Sequence, residues 1–423
     1  MGGGRCQGKP SWRESPPKGG HPVTGSVSCM ATGLDESLRA QLIAHAELPV
    51  EQATVLPPAA YTDPAVLRLE RERIFASEWM CVGRTADVPE NGDYVTREIS
   101  SPHDHLLLSV IVVRGDDGVV RAFTNACAHR CATLLDGDGS TARITCPYHA
   151  WVYRLDGQCI AAPYMQQTTE ADGAPFDPAN HRLTELATEV WEGFVYVSQS
   201  AQPTPLAPRV AGLTDVVSRY RMAGYSTVAG GTVVWDTNWK CLAENFLDAY
   251  HVFKVHKNTF AKDSDSTSST TVYPGGEGYT YHVAIDDPAS AYGVAHPDNE
   301  VLDGTWRHST MLMATYPTHV IQLQPDWLWY LVLSPVGVGQ VHIRWSLAVA
   351  PEVWNDAELD REPFLSRILD LLTAVNGEDR PVIEGVWRAL HHRDSPRGPF
   401  SYLERNVYDI GHYVAGRLTG DGM

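Results

Sequence analysis

The 423-residue chain has no apolar run approaching the roughly eighteen residues that a membrane-spanning helix needs; its longest candidates are 105–113 and 327–333. That argues against a membrane-embedded chain. Positive charge is also scarce, with 33 Lys and Arg against 51 Asp and Glu and a net charge of −18. Such a balance argues against nucleic acid or an anionic membrane surface as the main partner. Only 8 Cys occur, too few for a disulfide-built fold of this length, which points to a reducing, cytoplasmic setting. Residues 1–29 lack the apolar core of a secretory signal. Residues 1–35 are therefore expected to form a disordered tail, with Met30 as a second candidate start. There is no internal repeat, and no G-x-G-x-x-G follows a strand pattern, so any nicotinamide nucleotide must be oxidised by another protein.

What is present suggests two domains, since the length exceeds one ordinary core. Residues 36–46 have helical spacing (Leu38, Leu42, Ile43), and Asp63 with Pro64 marks the capped start of a second helix reaching about Trp79. This 36–79 segment is expected to pack on the C-terminal domain. From 80 to 198, segments rich in Val, Ile, Tyr and Thr are divided by turns at Asn91-Gly92-Asp93, 115–118 and Asp156-Gly157, an all-β pattern. Residues 199–224, with Pro203, Pro205 and Pro208, read as a connection. From 225 to 423, expected strands at 226–239, 278–285, 311–320, 327–334 and 341–349 alternate with expected helices at 241–256, about 356–375 and about 380–391. Together these give an α+β fold class: an all-β domain, then a domain with an antiparallel sheet flanked by helices. Residues 264–271 are low in complexity and expected to be a mobile loop.

Chemistry concentrates in two places. The first is Cys127-x-His129, a gap of sixteen residues, and Cys146-x-x-His149. Each half offers one thiolate and one imidazole, which suits a [2Fe–2S] centre with two sulfurs on one iron and two ring nitrogens on the other. A structural zinc is the competing assignment, but zinc knuckles usually pair Cys with Cys. The second place is Glu244-Asn245-Phe-Leu-Asp248-Ala-Tyr250-His251-x₄-His256. On one ideal helix His251 and His256 would lie roughly 140° apart, too far for a shared metal; a bulge or a helix end between them would bring them together. Asp248 falls between them, within reach of a ring nitrogen. Two His and a carboxylate make the facial triad that leaves positions open on Fe(II).

The two loops, with Arg130, Pro147-Tyr148, Trp151 and the Leu155-Asp156-Gly157 turn, resemble the Rieske motif of the Rieske non-heme iron oxygenases, the ring-hydroxylating oxygenase α-subunit family. Tyr148 stands where respiratory Rieske proteins carry a disulfide Cys, so Cys131 is expected to be a buried thiol. Cys131 and Ala150 occupy positions where the family more often has Gly. The run 244–256 is similar to the family's mononuclear-iron motif, and the resemblance extends over about 50–415. It implies a third ligand over a hundred residues on, at Asp379 with Glu378 as second choice, in a stretch that would otherwise simply begin a helix. It further implies a cluster domain over 80–198 and a catalytic domain over 225–423. Asp248 would be an electron bridge to a cluster His of the neighbouring subunit in a homotrimer, and Asn245 and Tyr250 would take part in the site.

The activity implied is that of an O₂-dependent oxidoreductase. Electrons come from NAD(P)H through a separate reductase, with a ferredoxin as a further carrier, and a small organic substrate is hydroxylated or demethylated. A ring-dihydroxylating dioxygenase is the alternative within the family, and a Rieske electron carrier the alternative outside it. Expected pocket walls are Phe260, Trp306, Met311, Met313, Gln324, Trp327, Trp329 and Tyr330, which would suit an aromatic ring, a methyl group or a quaternary amine.

Overall fold

The computed structural model describes residues 33–102, 107–261, 269–289, 291–392 and 395–420; the expected tail up to residue 32 and most of the 264–271 loop lie outside them. Leu34–Met423 forms one compact unit.

Ten strands precede residue 199: β1 (Met80–Arg84), β2 (Asp93–Ser100), β3 (Leu107–Arg114), β4 (Val120–Thr124), β5 (Asp138–Ser140), β6 (Ile144–Thr145), β7 (Val152–Tyr153), β8 (Cys159–Ala161), β9 (Glu185–Trp191) and β10 (Phe194–Ser198). Seven make an antiparallel sheet in the order β1-β10-β9-β4-β3-β2-β5, and β6-β7-β8 make a small second sheet. Side chains alternate between faces along a strand, and β3 uses both. Val110 and Val112 enter the main core, whereas Ile111 and Val113 join a separate core with Phe123, Cys127, Cys146, Trp151 and Tyr153. The two ligand loops stand on that smaller core.

The later strands are β11 (Ser226–Trp235), β12 (Thr270–Gly276), β13 (Tyr279–Ile285), β14 (Ser309–Thr315), β15 (His319–Leu323), β16 (Trp327–Gly337) and β17 (Gln340–Val349). They pair antiparallel in the order β11-β17-β16-β15-β14-β13-β12. The single strand expected over 311–320 is two strands, with a turn at Tyr316-Pro317 before β15.

Helices cover this sheet. The Glu36–Glu47 helix is capped by Asp35, and Asp63 caps the Pro64–Glu70 helix, its carboxylate accepting from Ala65 N at 2.8 Å. The N-terminal segment is tied to the later chain by Tyr61 Oη to Glu244 at 2.7 Å and by a buried Glu70–Lys240 pair. Residues 206–224 are a packed helical segment, with Leu206–Arg209 and Ala211–Val217 in it, burying Leu213, Val217, Tyr220 and Met222.

Two expected helices are in fact one, Arg361–Ala389, which runs through Pro381. A proline there removes one backbone donor and crowds the carbonyl four residues back. That position is Gly377, which adds no side chain to the crowding. Glu378 and Asp379 therefore sit mid-helix, not at a helix start. A final helix, Arg405–Thr419, has no counterpart in the sequence reading; its buried face carries Asn406 and Asp409, which bond Thr280 of β13.

Candidate active site

The two cysteine–histidine loops have the same backbone plan. Cys127 N donates to Ala132 O (2.9 Å) and Cys131 N to Cys127 O (2.9 Å); Cys146 N donates to Trp151 O (2.8 Å) and Ala150 N to Cys146 O (3.0 Å). Each loop closes through a left-handed residue, Cys131 at φ 53° and Ala150 at φ 55°. These are the two positions where glycine was the usual choice, and the turn keeps that conformation at a cost of about 1 kcal/mol or more each. Cys131 corrects the expectation of a buried thiol. Its left-handed turn leaves the side chain exposed.

Cys127 and Cys146 are buried, and the rings of His129 and His149 lie 4.8 Å apart, centre to centre. His129 stacks on Trp151 at 4.7 Å. The Tyr153 hydroxyl lies 3.1 Å from Cys127 Sγ. Nδ1 of both His129 and His149 is buried without a hydrogen-bond partner, which is costly unless something else binds there. Two thiols and two orphaned ring nitrogens are a donor set that fits a [2Fe–2S] cluster.

The second centre depends on where a helix stops. Asn238 caps the Trp239–Leu247 helix through Lys240 N (3.0 Å), and the backbone leaves the helix at Asp248, φ −80° and ψ 113°. A one-turn helix, Val252–Val255, follows, flanked by His251 and His256. This break removes the 140° separation, and the two Nε2 atoms are 3.1 Å apart. Asp379 Oδ1 stands 3.5 Å from one and 3.3 Å from the other.

Each imidazole is held from behind. Asp248 Oδ2 lies 3.1 Å from His251 Nδ1, and Glu378 Oε2 lies 2.9 Å from His256 Nδ1 while accepting the Thr259 hydroxyl at 2.7 Å. Asp248 is itself fixed by Tyr250 N at 2.6 Å. A carboxylate only accepts, so both Nδ1 atoms donate, and both Nε2 atoms face one point beside Asp379, where a metal would take their lone pairs in place of a proton. Three lone-pair donors within 4.8 Å of one another fit a divalent cation with open positions. Adjacent helical residues point about 100° apart, which is how Asp379 faces the pair while Glu378 reaches the far side of His256. Burial alone would raise the Asp379 carboxyl, but the two imidazoles hold it down at about 2. Burial alone would lower His251, yet its bonds to Asp248 and Asp379 bring it up to about 9.

Of the other expected site residues, Asn245 lines the cavity and points Nδ2 at Asp379 Oδ1 from 3.4 Å. Tyr250 does not line it. Its side chain is 47% exposed against Phe253, and only its amide serves the site.

The triangle opens into a cavity of about 100 Å³, which adjoins a second of about 210 Å³ across Trp235, Leu242, Trp329 and Leu331. Of the eight expected pocket walls, Phe260 and Trp329 line the first cavity; Trp306, Met311, Met313, Gln324, Trp327 and Tyr330 do not. On β14 it is Thr310 and Leu312 that face it, and on β15 Gln322. Met311 and Met313 belong to the opposite face by strand alternation. Trp235, Phe246, His282 and Asn376 also line it. Phe246, four residues past Leu242 on the same helix, was the one of these within reach of helical spacing.

Glu244, four residues before Asp248, is partly buried. Burial, offset in part by the Tyr61 hydroxyl and Lys240, pushes its carboxyl up to about 7. Folding raises this pKa, so the stability Glu244 contributes is complete below its unfolded value and is lost as pH rises towards 7. Buried His45 and His282, lowered to about 4, act with the opposite sign at lower pH. The difference between Glu244→Gln and the parent isolates Glu244. The variant should gain relative stability by about 1.4 kcal/mol per pH unit between pH 5 and 7, read from urea unfolding; parallel curves would contradict it.

Residues 78–176 match the family described as the Rieske [2Fe-2S] domain, and 221–420 match the ring hydroxylating alpha subunit, catalytic domain. The glycine betaine monooxygenase oxygenase subunit of Chromohalobacter salexigens is 34% identical over 224 residues, 52% of this chain and 48% of that protein. Chloroplastic choline monooxygenase of Arabidopsis thaliana is 25% identical over 374 residues, 86% of this chain and 82% of that protein. This chain spans about half the length of the bacterial curated relatives it matches. A quaternary ammonium Rieske monooxygenase solved with L-carnitine has the same fold, with a TM-score of 0.71 at 22% identity over 91% of this chain and 99% of that one. No helix among the described residues is long and apolar enough to cross a membrane. With the Rieske domain followed by the α-subunit catalytic domain, the chain belongs to the Rieske non-heme iron oxygenases, the ring-hydroxylating oxygenase α-subunit family.

Proposed function

We propose that this chain is the oxygenase component of a multi-protein system. It takes single electrons from a separate NAD(P)H reductase, with a ferredoxin as a further carrier, and monooxygenates or demethylates a small quaternary ammonium compound or related amine. The observation that carries this reading is that the His251–His256–Asp379 triangle opens into an aromatic cavity with no Lys or Arg among its described lining residues. In this reading Cys127, His129, Cys146 and His149 hold the cluster, and His251, His256 and Asp379 hold Fe(II). The cluster would supply one-electron transfer, and the iron would supply open positions for O₂ chemistry beside the substrate.

The chain's own residues do the positioning. Asp248 and Glu378 fix the Nδ1 protons of the two imidazoles, so that both Nε2 atoms stay available. Trp235, Phe246 and Trp329 line the cavity with apolar surface that excludes water and offers π faces to an ammonium group. The segments 80–198 and 225–423 act as the cluster and catalytic domains. A carrier protein would have no use for the triangle or the cavity. None of the described cysteines forms a disulfide, which supports a cytoplasmic setting.

A homotrimer is part of this reading, with Asp248 linking His251 to a cluster His of the neighbouring subunit; inter-subunit electron transfer is named for the similar quaternary ammonium monooxygenase. Asp248→Ala should keep both metal centres loaded and lower product formation by roughly 10–100-fold, measured as product against O₂ consumed with a surrogate reductase. Unchanged product formation by that variant would remove Asp248 from the electron route.

A further inference from the structure

The cavity contains a charged group with no part in the metal triangle. Asp286 follows β13 directly and lines the cavity. It lies four residues beyond His282, about 13 Å along the strand, and among the described residues its side chain bonds Thr310 and none of His251, His256 and Asp379. A relay holds it. Gln324 Nε2 donates to the Thr310 hydroxyl at 2.8 Å, and that hydroxyl donates to Asp286 Oδ2 at 2.7 Å. Oδ1 receives no hydrogen bond among the described residues, and no Lys or Arg there pairs with the carboxylate. Burial raises its pKa, against the Thr310 bond and nearby His308.

A partly buried carboxylate facing aromatic walls without a counter-ion is costly by itself and favourable once a cation enters. It also penalises a second carboxylate, which would find three acids (Asp248, Asp286 and Asp379) and no Lys or Arg among the described lining residues. We propose that Asp286 is the specificity-determining residue of this cavity. It attracts the ammonium group of a substrate that carries no carboxylate and disfavours zwitterionic amines of the betaine and carnitine type. This rests on the ammonium reading above. Asp286 acts on binding, and Thr310 and Gln324 are positioning residues for it.

The test is anaerobic calorimetry on the full-length protein with both iron centres loaded. Three probes are used: choline, its neutral isostere 3,3-dimethyl-1-butanol, and glycine betaine. The parent should bind choline about tenfold or more tighter than either other probe. Asp286→Asn should lose about tenfold for choline, leave the neutral isostere unchanged and narrow the gap to glycine betaine. A parent that prefers choline to the isostere, with Asp286→Asn unchanged for choline, would overturn the role of Asp286 and leave the ammonium reading standing. Equal affinity of the parent for choline and the isostere would overturn both. Should Asp286→Asn fail to fold or load iron, the parent decides alone: glycine betaine bound as tightly as choline overturns the proposal.

Discussion

Replacing His251 by Ala is expected to leave purified protein with about two irons per chain in place of about three, still coloured by its cluster. Substrate oxidation should fall by more than about a thousandfold. The expectation follows from the closeness of three donors, Nε2 of His251 and His256 and Oδ1 of Asp379, with no fourth His, Cys, Asp or Glu in the group among the described residues to replace a lost one. The cluster loops stand on a separate small core with Trp151 and Tyr153, so they should be unaffected. Cys127→Ser should do the reverse, losing the visible spectrum and keeping the single iron. Co-expressed in one assembly, the two inactive chains should recover a measurable part of the activity if electrons cross between subunits. A full complement of iron in His251→Ala would dismiss the triangle as the mononuclear site, and mixed assemblies without activity would dismiss the inter-subunit route.

These two centres differ in how far they could be read from the sequence, for physical reasons. The cluster donors lie within one short stretch, and closely spaced ligands of mixed type leave few geometries open. The His251–His256 spacing showed that a regular helix could not serve, and the structure supplies a helix end at Asp248. The position of Asp379 came from resemblance alone, since a contact across more than a hundred residues leaves no local trace. Glu378 and Asp379 are neighbours on a helix, and only its rotation against His256 separates the carboxylate that faces both Nε2 atoms from the one that holds His256 Nδ1.

The cavity walls were the least legible part. Every candidate on β14 depended on which alternate side chains face the helix layer, and a shift of one residue reverses the answer. Met311 and Met313 were chosen for their chemistry, while Thr310 and Leu312 line the space. The break expected between about 375 and 380 is also absent, since one helix runs through it. The Arg405–Thr419 helix was hidden for a different reason. Polar Asn406 and Asp409 interrupt its apolar stripe because they bond the sheet beneath.

The second large effect concerns what holds in place the helix that leads into the His251–His256 segment. Glu70 and Lys240 are 0% and 1% exposed, and the carboxylate also accepts Trp239 Nε1 at 2.9 Å. The ammonium lies 5.1 Å from the Trp239 ring centre and 5.6 Å from that of Tyr61. Glu70→Gln keeps the shape and one acceptor but leaves the buried charge of Lys240 uncompensated, which should cost about 3–5 kcal/mol and lower the melting temperature by roughly 5 °C or more. The loss falls where the Pro64–Glu70 helix grips the start of the Trp239–Leu247 helix, so iron at His251 should also exchange faster. Adding Lys240→Met removes the stranded charge, and the double variant should return to within about 2 kcal/mol of the parent, because the pair's attraction mostly offsets its desolvation. A double variant as unstable as Glu70→Gln would show that the unpaired charge of Lys240 is not what destabilises Glu70→Gln.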